Sequence, residues 1–268
     1  MNNKITIITP CLNALELLKE TVCSVLQQKA CLNGQVEFEY IICDGGSQDG
    51  TIEWIESIES SNIRLISEPD TGVYDALSKG LNSVSGDFIA YLNAGDYYSR
   101  NAFNILMDVF SDPDVKWVTG YNTWYNQKGY LVKALLPYRY RRSLIQAGVY
   151  GYLMPWMWIQ QESTFWRAEL LSSVDMRRLS QFKFSGDYYL WHQFSKVSDL
   201  HIVKAHMGGF RKHFRQISED KKQYQKEMSD ILERSPSVYD YMMGFIDTIV
   251  WYMPDRIKCT LNRRIIKL

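Results

Sequence analysis

Along the first hundred residues, short unbroken apolar runs alternate with stretches whose apolar residues return every three or four positions. Ile5–Thr9 is the first run, closed by Pro10. Leu15, Leu18, Val22 and Val25 then repeat at helical spacing, with Asn13 as the expected cap and Glu16 as its capping-box partner. "EYIICD" (Glu39–Asp44), "IRLISE" (Ile63–Glu68) and "FIAYL" (Phe88–Leu92) predict further strands. Between them, Ile52, Ile55 and Ile58 mark one helix, and Leu77, Leu81 and Val84 another that stops near Gly86. Continuous apolar strands separated by amphipathic helices predict an α/β fold, a mostly parallel sheet covered on both faces.

After Asp96 the pattern is mixed. "NAFNILMDVF" predicts a helix, and "VKWVTGY" and "YLVKALL" predict strands with a turn between them. Leu144–Trp158 is aromatic and irregular, "ESTFWRAELL" is expected to enter a helix, and "SGDYYLWHQFSKV" is a further one. From about Glu219 the composition changes to charged helix and then to an aromatic, basic tail. The expected organisation is an α/β domain over residues 1–218 and a C-terminal helical extension over 219–268.

Composition narrows the function classes. The 268 residues are 46% apolar and 14% aromatic, enough for a substantial core. Thirty basic and thirty acidic residues cancel, which argues against nucleic-acid binding. The start, "MNNKITIITPCLN", does not read as a signal peptide, and no segment offers the roughly 20 uninterrupted apolar residues that span a bilayer. Five scattered cysteines without a C-x-x-C pair are expected to be reduced thiols of a cytoplasmic protein rather than a zinc site.

The chemistry gathers where the strands end. Ligands bind open α/β sheets outside the carboxyl ends of the strands. Here those ends read "TPCLN", "DGGSQDG", "SEPDTG" and "LNAGD". Turns account for the glycines and prolines but not for the run of carboxylates Asp44, Asp49, Asp70, Asp75 and Asp96. Asp44 at a strand end can accept a hydrogen bond from a base N–H, and Gly45 and Gly46 let the backbone approach a ligand closely. Ser47 and Asp49 are expected to cap the next helix. Asp75 reads equally as a site residue or a helix cap, and Tyr74 as a base-stacking or a packing residue.

"TIITPCLN", "IICDGGSQDGT", "SEPDTGVYDALSKGLNSVSGDFIAYLNAGD", "QESTFWR", "SGDYYLW" and "FRKHFRQIS" follow one another in that order. This set resembles the family 2 glycosyltransferases of GT-A fold and covers roughly residues 4–218. The resemblance implies inverting transfer of a sugar from a nucleotide-diphosphate donor, a UDP-sugar above all, to a saccharide or lipid-linked saccharide in bacterial surface polysaccharide synthesis. It implies that Thr9, Pro10, Asn13, Asp44 and Gly45 line a nucleotide pocket, with Asp70 on the base and ribose side. Asp187 is the implied catalytic base, because inverting transfer needs a carboxylate beside the acceptor hydroxyl; its alternative is a helix cap. Glu162 is the implied sugar contact and a rival base. Arg211 and His213, in a basic cluster, are implied to stabilise the departing diphosphate. Where relatives often carry a D-x-D motif for Mg²⁺ or Mn²⁺, this chain has Asn93, Gly95 and Asp96. Asp96 is then the one expected metal ligand, with Asn93 on donor sugar or phosphate.

Two features stay open at this level. The aromatic residues between Tyr150 and Trp158 read equally as an acceptor platform and as core. The tail, with Arg256, Lys258, Arg263, Arg264 and Lys267, reads equally as a helix at the inner face of the cell membrane and as a face packed on the domain or on a second copy. Among competing classes, a nucleotidyltransferase usually has a Gly-rich basic loop after the first strand, which "TPCLNALE" lacks. A dinucleotide-binding dehydrogenase needs a G-x-G-x-x-G there. A non-catalytic sugar-nucleotide binder would fit the thinned metal motif but not Asp187 in its expected context.

Overall fold

A computed structural model describes residues 4–212 and 220–268. His213, with its neighbours Arg215, Gln216 and Ser218, lies outside the described residues. In chain order the first half holds β1 (Lys4–Cys11), α1 (Leu15–Leu26), α2 (Lys29–Leu32), β2 (Glu37–Asp44), α3 (Thr51–Glu56), β3 (Ile63–Ser67), α4 (Val73–Leu81) and β4 (Phe88–Tyr91). There follow β5 (Tyr97–Tyr98), α5 (Ala102–Phe110), β6 (Trp117–Thr119), β7 (Asn122–Tyr125), β8 (Leu131–Leu135), α6 (Arg142–Gln146), β9 (Thr164–Arg167), α7 (Met176–Leu179) and α8 (Gly186–Val197). The last elements are β10 (Leu200–Val203), β11 (Gly208–Arg211), α9 (Lys221–Ile231), α10 (Val238–Trp251), α11 (Asp255–Leu261) and β12 (Ile265–Ile266).

An eight-stranded sheet runs in the order β12-β10-β6-β9-β4-β1-β2-β3. All its pairings are parallel except those of β9, which is antiparallel to β4 and β6. The chain builds outward from β1 through β2 to β3, then crosses back to place β4 on the other side of β1. That reversal opens a crevice between the carboxyl ends of β1 and β4, the place where such sheets take ligands. A smaller sheet, β5-β11-β7-β8, stands beside it.

The strands and helices of the first hundred residues form as the periodicity predicts; the misreadings lie later. "TFWR" is a buried strand, not the start of a helix. Four residues, Thr, Phe, Trp and Arg, cannot be told from a helix turn by periodicity, and the first three are buried. "VKWVTGY" supplies β6 to the large sheet, whereas the hairpin in the small sheet is β7 with β8. The capping expected at Asn13 is also different: Ala14 precedes α1, and Asp49 Oδ2 accepts from the Leu15 N–H (3.0 Å) across the crevice rim.

Trp117 of β6, Trp166 of β9 and Trp191 of α8 form one ring cluster, with centroids 5.7 and 5.8 Å apart on either side of Trp191. All three are buried, and each such side chain contributes about 1.5–3 kcal/mol on leaving water. α8 is enclosed on every side from Tyr188 to Ser195. It is therefore fixed against the sheet, and its first turn reaches the crevice. At the far end, β12 pairs with β10, so the C-terminal segment returns to the large sheet.

Candidate active site

The crevice is a cleft of about 410 Å³ whose lining includes Pro10, Asp70, Asn93, Asp96, Glu162 and Asp187. These come from five separate stretches of chain. Pro10 lies near the carboxyl end of β1, Asp70, Asn93 and Asp96 follow β3 and β4, Glu162 precedes β9, and Asp187 stands in the first turn of α8.

Beyond the ends of β1, β2 and β3 the carboxylates organise loops. Asp44 is buried, and its Oδ2 accepts from the Gly46 and Ser47 N–H groups (both 2.9 Å) and the Ser67 hydroxyl (3.0 Å). These donors hold its carboxyl below the usual range despite the opposing effect of burial. Its other oxygen faces the Cys11 thiol at 3.8 Å. Asn13 adopts a left-handed backbone (φ 48°) and ties the rim together: its N–H donates to Ser47 Oγ, and its Oδ1 accepts from the Gln48 N–H. Ser47 thus holds Asn13 and does not cap the next helix. Asp49 serves two helices, α1 through Leu15 and α3 through Thr51. Thr9 is buried beneath the cleft, bonded to the Tyr40 hydroxyl. Asp70 lies over Gly45, where a Cβ would come within 2.4 Å of its carboxylate and displace it. Asp75 caps the start of α4 by accepting from the Thr71 N–H (2.9 Å).

The "NAGD" turn sits at the floor. Thr21 of α1 pins it, accepting from the Gly95 N–H and donating to the Asp96 carbonyl (both 2.8 Å). Asp96 is 2% exposed; its Oδ1 accepts from the Arg211 N–H (2.7 Å). Its carboxyl also shares a hydrogen bond with Glu162, itself buried, and burial with this neighbouring charge pushes Asp96 well above the carboxylate range. Burial first, then the charge of Asp187, pushes Glu162 up to about 7. The Arg211 guanidinium donates to Glu20 and to the Gln127 carbonyl, and its charge opposes the rise at Asp96. Asn93 donates to Gln161, while its buried Oδ1 has no partner among the described residues.

Among the described residues no group of three His, Cys, Asp or Glu side chains converges as a ready-made cation site. The oxygens that are present suit a hard cation nonetheless. Mg²⁺ is commonly held by one or two carboxylates with substrate phosphates and water. Asp96 and Glu162 offer that set; burial is the main cause of the upward shift of both.

Asp187, half-buried, stands at the first turn of α8. Its Oδ1 accepts from the Tyr188 N–H (2.7 Å) and the Tyr224 hydroxyl (3.0 Å). Burial pushes its carboxyl up to about 6. Tyr74 packs its ring where a Cβ on Gly186 would sit, 2.4 Å away, and donates to the Phe184 carbonyl; it is a packing residue that also lines the cleft.

The sequence reading missed Glu227. From α9 its carboxylate accepts from the Lys183 (2.9 Å), Phe184 (2.8 Å) and Ser185 (2.9 Å) N–H groups, the free donors just ahead of α8. Glu227 and Tyr224 are three apart on α9 and face the same helix start. The one available signal was a tyrosine followed at helical spacing by a methionine in a helix otherwise full of Lys, Gln and Glu. Of the aromatic stretch, Tyr150 and Met157 are core, and Trp158 meets Tyr224 edge-on at 5.0 Å.

The sequence profile described as Glycosyl transferase family 2 matches residues 6–168, more than half the chain. A glycosyltransferase of Escherichia coli, UDP-Glc:alpha-D-GlcNAc-diphosphoundecaprenol beta-1,3-glucosyltransferase WfgD, is 23% identical over 208 residues, 75% of this chain and 73% of that one. S. aureus TarS 1-349 in complex with UDP-GlcNAc superposes with a TM-score of 0.63 at 12% identity, covering 95% of this chain and 69% of that one. Glucosyl-3-phosphoglycerate synthase from Mycobacterium tuberculosis, in complex with Mn²⁺, UDP and phosphoglyceric acid, superposes with a TM-score of 0.54 at 18% identity over 88% and 80% of the two chains. These likenesses show the GT-A fold. The chain spans 35% of the length of the uncharacterized glycosyltransferases of Mycobacterium tuberculosis with which it shares 36% identity over 95 residues.

Proposed function

The chain belongs to glycosyltransferase family 2, and from that premise we propose that it transfers a sugar from a UDP-sugar to a hydroxyl of a saccharide carried on a lipid diphosphate. One observation carries the reading: a single cleft at the reversal of the sheet is lined by Asp70, Asp96, Glu162 and Asp187. The donor and acceptor classes follow the UDP-Glc and diphosphoundecaprenol in the name of the E. coli relative and the UDP-GlcNAc bound to TarS.

In this reading the nucleoside lies against Pro10 and Asp70, with Asp44 Oδ1 accepting from a base N–H. The unpaired Asn93 Oδ1 accepts from a donor hydroxyl. The acceptor hydroxyl attacks the anomeric carbon as the bond from that carbon to the diphosphate breaks, and the electron pair leaves with the diphosphate. Asp187 takes the acceptor's proton, and its raised pKa brings it nearer the pH at which a general base works best. Asp96, with Glu162 beside it, would hold a divalent cation, which when bound neutralises charge on the two phosphates. His213 retains the phosphate-side role that the order of the motifs assigns to it.

Calorimetric titration with UDP, GDP and dTDP, each in Mn²⁺ and in EDTA, tests the donor half. UDP is expected to bind most tightly and to weaken in EDTA. Failure of all three nucleotides to bind overturns the reading, and equal binding in EDTA removes the metal from it.

A further inference from the structure

α10 has two unlike faces. Its buried face carries Asp240, Gly244 and Asp247, at the spacing of one helix stripe, and ends in Val250 and Trp251. Its solvent face carries Val238, Tyr241, Met242, Phe245, Ile249 and Tyr252, all exposed, Phe245 to 63%. The polar face is fully engaged. Asp247 takes both arms of Arg141 (2.8 and 2.9 Å) and the Tyr150 hydroxyl (3.1 Å). Asp240 pairs with Arg234 and closes a capping box with Ser237. Those bonds fix the helix in its rotation, so the apolar stripe is held outward by partners on the opposite side and is no accident of a loosely placed helix.

Charge stands beside that stripe. A second cleft, about 710 Å³, is lined by Arg139, Arg141, Arg142, Arg263 and Arg264, and by Tyr239 and Met243 of α10 itself. Asp199 pairs with Arg264 and Asp247 with Arg141. Arg142 is turned to the carbonyls of Ser195 and Lys196. Arg263 is exposed and has no ion-pair partner among the described residues, and the buried Arg139 Nε has no hydrogen-bond partner among them. Contiguous exposed apolar surface marks an interaction site. A basic rim selects, among possible occupants, one that is apolar within and anionic at its boundary.

We propose that α10 and the arginine cleft dock the protein onto an anionic lipid bilayer, the apolar stripe entering the acyl boundary and the arginines meeting phospholipid headgroups. With 14 residues, α10 is about 21 Å long, suited to lying in the interface and too short to cross it. No helix among the described residues is long and apolar enough to span a membrane. The docking face also backs onto the acceptor wall: Thr248 of α10 touches Met157, and Trp158 meets Tyr224, which holds Asp187. The proposal stands on this surface and does not depend on the donor or acceptor assigned above.

The test is flotation of the full chain with vesicles of phosphatidylcholine alone and of equimolar phosphatidylcholine and phosphatidylglycerol. Binding is expected only to the anionic vesicles. Phe245→Glu with Ile249→Glu, both at exposed positions, is expected to abolish it while UDP binding is retained. Arg263→Glu is expected to weaken it at least about fivefold, the ~1 kcal/mol carried by one basic residue at such a surface. Wild-type protein that stays with the soluble fraction overturns the proposal, as does equal binding by the double variant. A dimer in sedimentation velocity that the double variant dissolves, without vesicle binding by wild type, gives the face to a second copy and overturns it as well.

Discussion

On the donor side of the cleft Asp44, Asp49 and Asp70 accept from backbone N–H groups two or three positions further on. On the acceptor side Asp187 is held by Tyr224, 37 positions away, and its helix start by Glu227, more than 40 away from each residue it binds. The proposed donor wall is thus made by the loops that follow β1, β2 and β3, joined to one another by Asn13, Leu15 and Ser67, and it is in place once those strands have paired. The acceptor wall is complete only when α9 has docked. Binding and turnover should therefore be separable by mutation, and the divide should follow the two walls.

The sharpest test of the divide is Asp187→Asn. It is expected to lower kcat by about 10²–10⁴-fold with UDP affinity unchanged by calorimetry; full activity would remove Asp187 as base. Gly45→Ala acts on the other wall. Its Cβ meets the Asp70 carboxylate at 2.4 Å, so Asp70 must move. The donor KM is expected to rise about tenfold, the effect of ~1.4 kcal/mol of lost binding, with kcat little changed. Glu227→Gln removes the charge opposite three backbone donors. A kcat lower by about fivefold to tenfold with unchanged UDP affinity is expected, within the ~1–2 kcal/mol that a helix cap contributes; a change in UDP affinity instead would join the two walls.

The smallest effect is read from pH. The proposed base acts as the carboxylate, and burial has lifted the pKa of Asp187 to about 6, so kcat should fall as pH drops through that value. Ordinary aspartate would hold activity down to about 4. Tyr224 donates to the charged form and so lowers the pKa. Tyr224→Phe is expected to move the acidic limb upward while changing kcat at pH 8 by less than about threefold. A limb that stays in place would show that Tyr224 serves packing alone.

The donor wall was legible in the sequence because its determinants are local. "DGGSQDG" and "SEPDTG" announce turns, and the periodicity on either side places them at strand ends. Even so, Asn13 and Ser47 bond each other instead of capping the helices expected of them, since a bond across 34 positions leaves no trace in spacing. The acceptor wall was legible at Asp187, through the resemblance, but not at Glu227. A glutamate in a charged helix looks like solvent-facing surface until the fold sets it against unpaired N–H groups. The strand at Thr164–Arg167 was hidden for a related reason: four residues are too few to show a period. In α10 the apolar pattern was visible, but which face it would present was not, because Arg141 and Arg234 decide that from outside the helix.

The pairing of β12 with β10 bears on the order in which the protein is made. β10 ends at Val203, and its outer edge is closed by Ile265 and Ile266. At ribosomal rates of about 5–20 residues per second, the intervening 61 residues take some 3–12 s to appear. During that interval the nascent sheet has an unpaired apolar edge, the template on which strands of other chains add. A premature stop between α9 and β12 would make that interval permanent. Such products should therefore fail as aggregates, with the cleft itself already built.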